Sequence, residues 1–193
     1  GVDIHLFDDK FTAEVDYFHE KRSDIYWERK YLPWIVGLEQ TFKANIGEVK
    51  TQGFDGHFAF RQKIKNVDVT LRGNMTYSKN EIIEQDEENT VYGYKLNQGH
   101  RIDQAKGLIA LGLFKDYDDI RNSPKQTWNK VQPGDIKYKD VNGDGIVNDA
   151  DMVAIGATTK PNLIYGFGVS AQWNGFDFNV HFQGSGKSSF FIN

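Results

Sequence analysis

Tyr165-Gly166-Phe167-Gly168-Val169-Ser170-Ala171-Gln172-Trp173-Asn174-Gly175-Phe176 carries the clearest structural instruction in the chain. Its odd positions up to Trp173 are apolar or aromatic, and its even positions are Gly166, Gly168, Ser170 and Gln172. Such period-2 alternation places one set of side chains on each face of a β-strand. Asn174-Gly175 then supplies two residues that accept positive φ, the strongest short hairpin signal. The return segment repeats the pattern, with Phe176, Phe178, Val180 and Phe182 set against Asp177, Asn179, His181 and Gln183.

The same design occurs twice upstream. Phe54, Phe58 and Phe60 alternate with Asp55, His57 and Arg61, and Lys65-Asn66 forms a tight connection. Val67, Val69, Leu71 and Met75 then alternate with Asp68, Thr70, Arg72, Asn74 and Thr76. Near the start, Val2 to Leu6 turns at Asp8-Asp9-Lys10 and returns through Phe11, Ala13, Val15 and Tyr17. The chain is therefore read as all-β, with six strands in three hairpins, joined by two long connections at roughly 21–50 and 80–161. Tight turns at one end, long loops at the other and spans of about 9–11 residues are the pattern of a transmembrane β-barrel. On this reading the strands are antiparallel and up-and-down, and both long loops are extracellular. The competing reading is a soluble secreted β domain, stabilised by calcium and used for carbohydrate binding or adhesion.

Composition narrows the classes. The 193 residues contain no cysteine, which excludes a disulfide framework and thiolate chemistry. A net charge of −4 argues against nucleic acid as a partner, which calls for a basic patch. Mean hydropathy is −0.59, yet 14% of residues are aromatic and 19 are glycine. A barrel accounts for this mixture, because outward apolar stripes average with an inward polar face and wet loops. The chain starts within an alternating run and stops without a turn signal, so a segment of a longer chain is expected.

Asp140-Val-Asn142-Gly-Asp144-Gly145-Ile146-Val-Asn148-Asp-Ala-Asp151 has the spacing of an EF-hand-type calcium loop. Side-chain oxygens of Asp140, Asn142, Asp144 and Asn148 stand at loop positions 1, 3, 5 and 9. Ile146 offers its carbonyl at position 7, and Asp151 closes the loop at position 12. Calcium takes six to eight hard oxygen ligands, and this spacing wraps one chain around one structural Ca2+. Aspartate at the last position is one methylene shorter than the usual glutamate. An Asx-type turn without metal would use the same residues.

Tyr26, Trp27, Tyr31 and Trp34 crowd the first long connection and are candidate ligand contacts, since aromatic faces stack on sugar rings. Loop packing is the competing role for them. Gly166-Phe-Gly168-Val-Ser-Ala171 matches a dinucleotide fingerprint but lies within a strand that leads to a hairpin, so it is rejected. The five histidines are scattered, and the acidic groups at 84–88 and 116–119 read as solvated loop charge. No nucleophile–base pair is legible, and no enzyme is expected.

Several segments resemble the SusC/RagA-like TonB-dependent outer-membrane transporters of Bacteroidetes. The most specific is Pro133-Gly-Asp-Ile-Lys-Tyr-Lys-Asp140-Val-Asn-Gly-Asp-Gly145, followed by Ile155-Gly156 and the Tyr165-Gly-Phe167 strand. Leu108 to Phe114, Asn122-Ser-Pro124, Asp16 to Lys21 and Tyr77-Ser-Lys-Asn80 extend the likeness over essentially the whole chain. The resemblance implies that residues 1–193 are a C-terminal part of the receptor barrel, without its plug. It places 80–161, including the calcium-type loop at 140–151, on the extracellular side of the cell outer membrane. It also implies import of oligosaccharides or peptides, energy from the TonB complex and a SusD-like surface lipoprotein over the mouth.

Overall fold

Asn174 and Gly175 both take positive φ, 51° and 84°, and close a two-residue hairpin between β11 (Leu163–Trp173) and β12 (Phe176–Gly186). Primed turns of this kind match the twist of the flanking strands, which is why Asn-Gly is favoured. The structure, a computed structural model, describes residues 1–29, 37, 42–87, 90–128, 130–190 and 192. Lys65, at φ 55°, turns β3 (Lys43–Ile64) into β4 (Val67–Glu84). Phe7, Asp8 and Asp9, all at positive φ, turn β1 (Val2–Leu6) into β2 (Phe11–Glu28).

These six strands form one antiparallel sheet in the order β1-β2-β3-β4-β11-β12. β1 and β12 are its two edges, so the sheet is open, a wall rather than a closed barrel. Register aligns the apolar positions in unbroken rows. One row runs Leu6, Phe11, Phe60, Leu71, Val169 and Val180; another runs Ala13, Phe58, Gly73, Phe167 and Phe182. Directly opposed residues share a face, so every strand of the sheet contributes to the same apolar surface. The opposite face carries Glu14, His57, Asn74 and Gln183 in one row, with Gly166 among them.

The apolar face is not buried. Tyr17, Phe167, Phe176, Phe178 and Phe182 are all more than half exposed. Among the described residues the buried hydrophobics are Val49, Ile82, Phe114 and Val147. A soluble sandwich would bury such a face against a second sheet, and none covers it among the described residues. Leu163 to Trp173 spans 11 residues, which at about 3.3 Å each and a tilt near 45° gives roughly 25 Å of height, the apolar band of an outer-membrane barrel. Aromatics bound the band, with Trp173 opposite Phe176 at the turn end and Tyr17, Phe54 and Tyr77 in one row at the other.

Three strands exceed the expected span. β2, β3 and β4 have 18, 22 and 18 residues, so the first connection shrinks from 21–50 to 29–42. Beyond the band the apolar alternation gives way to charge, but the ladder continues, tied by ion pairs Lys21–Glu48 (2.9 Å) and Lys50–Glu81 (3.3 Å). Hydrogen bonding does not need an apolar stripe where the sheet stands in water, so the pattern fades before the strand ends.

The second connection is a folded excursion. Among the described residues it holds three two-stranded sheets: β5 (Gln104–Gly107) with β10 (Val153–Thr158), β6 (Ala110–Leu113) with β8 (Ile136–Tyr138), and β7 (Lys125–Gln126) with β9 (Ile146–Val147). A one-turn helix, α1 (Tyr117–Arg121), lies between β6 and β7. The excursion is pinned to the wall where β11 has not yet begun. Ile82 donates to the His100 carbonyl and accepts from Gly99, both at 2.8 Å, along the upper edge of β4. Asn162 completes the joint, donating to the Ser78 carbonyl (2.8 Å) and accepting from Arg101 (2.9 Å) and Thr158 (3.0 Å).

Candidate binding sites at the loop end

The extended strands create a hollow of about 250 Å³ lined by Glu20, Arg22, Ile25, Trp27, Val49, Thr51, Asn80 and Ile102. Glu20, Thr51 and Asn80 are register partners on the face opposite the apolar rows. The bulged stretch between Arg22 and Ile25, with Asp24 at φ 54°, interrupts β2 just before Trp27. Trp27 lies against Gly47, where any Cβ would come within 2.5 Å of the indole. Glycine is required there by close approach. The excursion closes the hollow from the other side, because the Ile102 N–H donates to the Asn80 side chain at 2.8 Å. An indole beside an Arg22–Glu20 ion pair (2.9 Å), a hydroxyl and an amide suits a polar solute with an apolar face.

Of the four aromatic candidates, Trp27 lines this hollow. Tyr26 stands outside it, largely exposed, with the Lys43 ammonium 5.9 Å from its ring. Both belong to β2 rather than to a loop. Tyr31 and Trp34 lie outside the described residues. Sequence alone does not single out Glu20, Arg22, Thr51 or Asn80; their only signal is polar alternation leading into the aromatic cluster.

In the calcium-type loop every predicted side-chain oxygen turns inward onto the loop's own backbone. The Asp140 carboxylate accepts from Gly143 (2.6 Å) and Gly145 (2.8 Å), both glycines at positive φ. Asn142, Asp144 and Asn148 accept from the N–H groups of Asp144, Ile146 and Ala150. Asp151 is fully buried and accepts from Val141 (2.8 Å), Asn142 (3.3 Å) and Asn148 (2.8 Å). Burial by itself would raise the Asp151 carboxyl, but these three donors, with Lys95 nearby, hold it below the ordinary aspartate range. Ile146 begins β9, beside fully buried Val147. The carboxylate oxygens of Asp140 and Asp144 each accept one bond and keep a further lone pair, whereas Asp151 Oδ1 already accepts two; the donors are the hard oxygens that calcium takes. Among the described residues no three His, Cys, Asp or Glu side chains are grouped closely enough to hold a metal ion.

A strap at 90–98 clasps this loop. Tyr92 and Tyr94 stack at 5.4 Å, the Tyr94 hydroxyl donates to the Ala150 carbonyl (2.8 Å), and the Asn142 amide donates to Tyr92 (3.2 Å). Burial, and secondarily the charge of Asp151, raise the Tyr94 hydroxyl above its usual range. Of the acidic groups expected to be solvated, Glu84 and Asp118 are exposed, Glu88 lies outside the described residues, and four others hold structure. Glu87 accepts from Asn97 and Gln98, Asp86 pairs with Arg29, and Asp116 caps α1. Asp119 takes the Lys137 ammonium at 2.8 Å, which with the Lys115 N–H holds its carboxyl below the ordinary range. The cap by Asp116 is local, but Arg29 and Lys137 are side chains brought from distant segments and Asn97 and Gln98 come from folded-back backbone, which linear spacing does not display.

No family model matches the chain. It is 27% identical over 96% of its length to TonB-dependent receptor P3 of Formosa agariphila, and 25% identical over 96% to TonB-dependent receptor P26 of the same organism. The chain spans about one fifth of these curated relatives, 19% of each. Solved structures of the RagAB peptide transporter and of the RagAB peptide importer in its open-open state share the fold. Their TM-scores are 0.66 and 0.67 at 17% and 18% identity, over 94% and 95% of this chain and 20% and 19% of theirs. An open wall with an exposed apolar face, banded by aromatics and carrying long loops at one end, defines a segment of an outer-membrane-type β-barrel. Over nearly its whole length the chain is thus similar to one stretch of TonB-dependent receptors, and it shares the fold of the corresponding stretch of the RagAB structures. Both curated relatives are named as receptors.

Proposed function

We propose that this chain is part of the barrel of an outer-membrane transporter that imports oligosaccharides or peptides, drawing energy from the TonB complex. A SusD-like surface lipoprotein covers its mouth at the loop end. The observation that carries the reading is the single apolar face, continuous across six strands and left exposed. Its opposite face is polar and suits a hydrated lumen. A large hydrated solute must be moved past a plug, so the protein's contribution on this reading is binding and gating rather than covalent chemistry.

The hollow around Trp27 is where a solute first meets the inner wall. The indole supplies a stacking face, and Glu20, Arg22 and Asn80 supply orientation. In the full-length transporter, titrated against panels of neutral oligosaccharides and of oligopeptides, Trp27→Ala is expected to weaken binding of the recognised panel by about tenfold, the scale of one lost aromatic contact. Unchanged affinity for both panels would remove Trp27 from the route.

The loop at 140–151 is proposed to hold one structural Ca2+ through Asp140, Asn142, Asp144, Asn148, Asp151 and the Ile146 carbonyl. The spacing and the hard-oxygen donors support this reading. Chelation should speed proteolysis within the excursion, and calcium should reverse the effect while magnesium does not. Cleavage indifferent to both ions would leave the loop an Asx-stabilised turn.

A further inference from the structure

A groove of about 680 Å³ crosses β2, β3, β4 and β11 on the exposed apolar face. Its floor is made by the small residues Ala13, Gly56 and Gly73, and its rims by Phe54, Met75 and Phe167. Gly73 is covered by the Phe58 ring, 2.5 Å from where a Cβ would stand, and a Cβ at Gly56 would meet the Glu14 carbonyl at 2.7 Å. The depression is thus fixed by backbone and packed rings. It is closed off toward the loop end by the Tyr17–Phe54–Tyr77 row.

Directly beyond that row the same face turns basic. The next row is His19, Gln52 and Lys79, and the one after is Lys21, Lys50 and Glu81. Glu48 and Glu81 neutralise Lys21 and Lys50. Lys79 is exposed and Lys187 stands 4.9 Å over the Tyr77 ring, and among the described residues neither makes an ion pair. Met75 and Lys79 are four residues apart on β4, about 13 Å. An apolar groove, an aromatic row and two uncompensated ammonium groups therefore follow one another at the depths of an acyl chain, an ester region and a phosphate.

We propose that this face is a binding site for a phosphorylated, multiply acylated lipid of the outer leaflet. One acyl chain lies over Ala13 and Gly73, and a phosphate sits between Lys79 and Lys187. The inference rests on the membrane-barrel reading above and adds a specific lipid to it. Charge complementarity selects the occupant, since a neutral chain alone would gain nothing from Lys79 and Lys187.

The test uses the full-length transporter reconstituted into phosphatidylcholine nanodiscs doped with bis-phosphorylated lipid A. Lipid still bound after transfer to mild detergent is counted by native mass spectrometry. Lipid A should be retained in preference to phosphatidylcholine. Lys79→Gln combined with Lys187→Gln should lower its occupancy on the order of tenfold, as expected for two surface cations. Ala13→Leu, which fills the groove and leaves the lysines in place, should also lower it. Inorganic phosphate should not compete. Equal retention of phosphatidylcholine, or variants that keep lipid A as the parent does, would overturn the proposal. Displacement by inorganic phosphate would overturn it in favour of a simple anion site. Failure of the parent protein to enter nanodiscs would overturn the barrel reading itself, whereas insertion without selective retention overturns this inference alone.

Discussion

Val169→Arg is expected to destabilise the membrane-embedded protein by about 2–4 kcal/mol, the cost of an arginine at the lipid-facing midplane of a barrel. Val169 lies in the row formed by Leu71 and Val180, near the middle of the apolar band and exposed on its outer face. A guanidinium there has no counter-charge in the row and no water within reach. Ser170→Arg, one residue away, turns the same charge to the opposite face, between Thr70 and Asn179. There it meets a hydrated wall, and the cost should stay under about 1 kcal/mol. Denaturant unfolding of both variants from lipid vesicles measures the difference. Equal penalties would mean that the two faces do not see different solvents.

Asp151→Ala is expected to unfold the excursion while leaving the wall intact. The substitution leaves the N–H groups of Val141, Asn142 and Asn148 without their acceptor. These donors are part-buried, so each orphan falls at the lower end of about 1–3 kcal/mol, and the total is on the order of 3–5 kcal/mol, which a small loop domain cannot absorb. Protease sites between residues 90 and 158 should open while the barrel keeps its parent melting temperature. Acid should mimic the substitution reversibly. The Asp151 carboxyl is held below its unfolded value, so its contribution is complete above the ordinary aspartate pKa of about 3.9. That contribution is lost as pH falls through the lower, folded value. Protection of 140–151 that persists in the alanine variant would refute the role given to this carboxylate.

How legible these features are in the sequence depends on how local their causes are. The three hairpins can be read because alternation and Asn174-Gly175 or Lys65-Asn66 act over a few residues. The strand extensions cannot, since Glu20 to Glu28 pair through backbone bonds that charged residues make as readily as apolar ones. The 140–151 loop is visible from spacing alone, because its donors and acceptors belong to one turn. The clasp of Tyr92 and Tyr94 over it is not, as these contacts join residues about fifty positions apart. The hollow at Trp27 is half legible. An aromatic cluster marks its neighbourhood, but a β-bulge and the distant Asn80–Ile102 contact decide which aromatic enters it.

The central claim is that one face of this wall meets lipid and the other meets water, and cysteine scanning of residues 165–173 tests it most directly. These 193 residues contain no cysteine, so once any cysteine elsewhere in the full-length protein is replaced, each introduced thiol in this segment reports its own position. In the full-length transporter in native membranes, positions 165, 167, 169, 171 and 173 should resist a water-soluble maleimide, and a fluorophore placed there in the unfolded protein should be quenched by nitroxide-labelled lipid after refolding. Positions 166, 168, 170 and 172 should show the opposite behaviour. An alternation of period two in both signals is the result the account predicts; uniform labelling along the strand, or lipid quenching at the even positions, would contradict it.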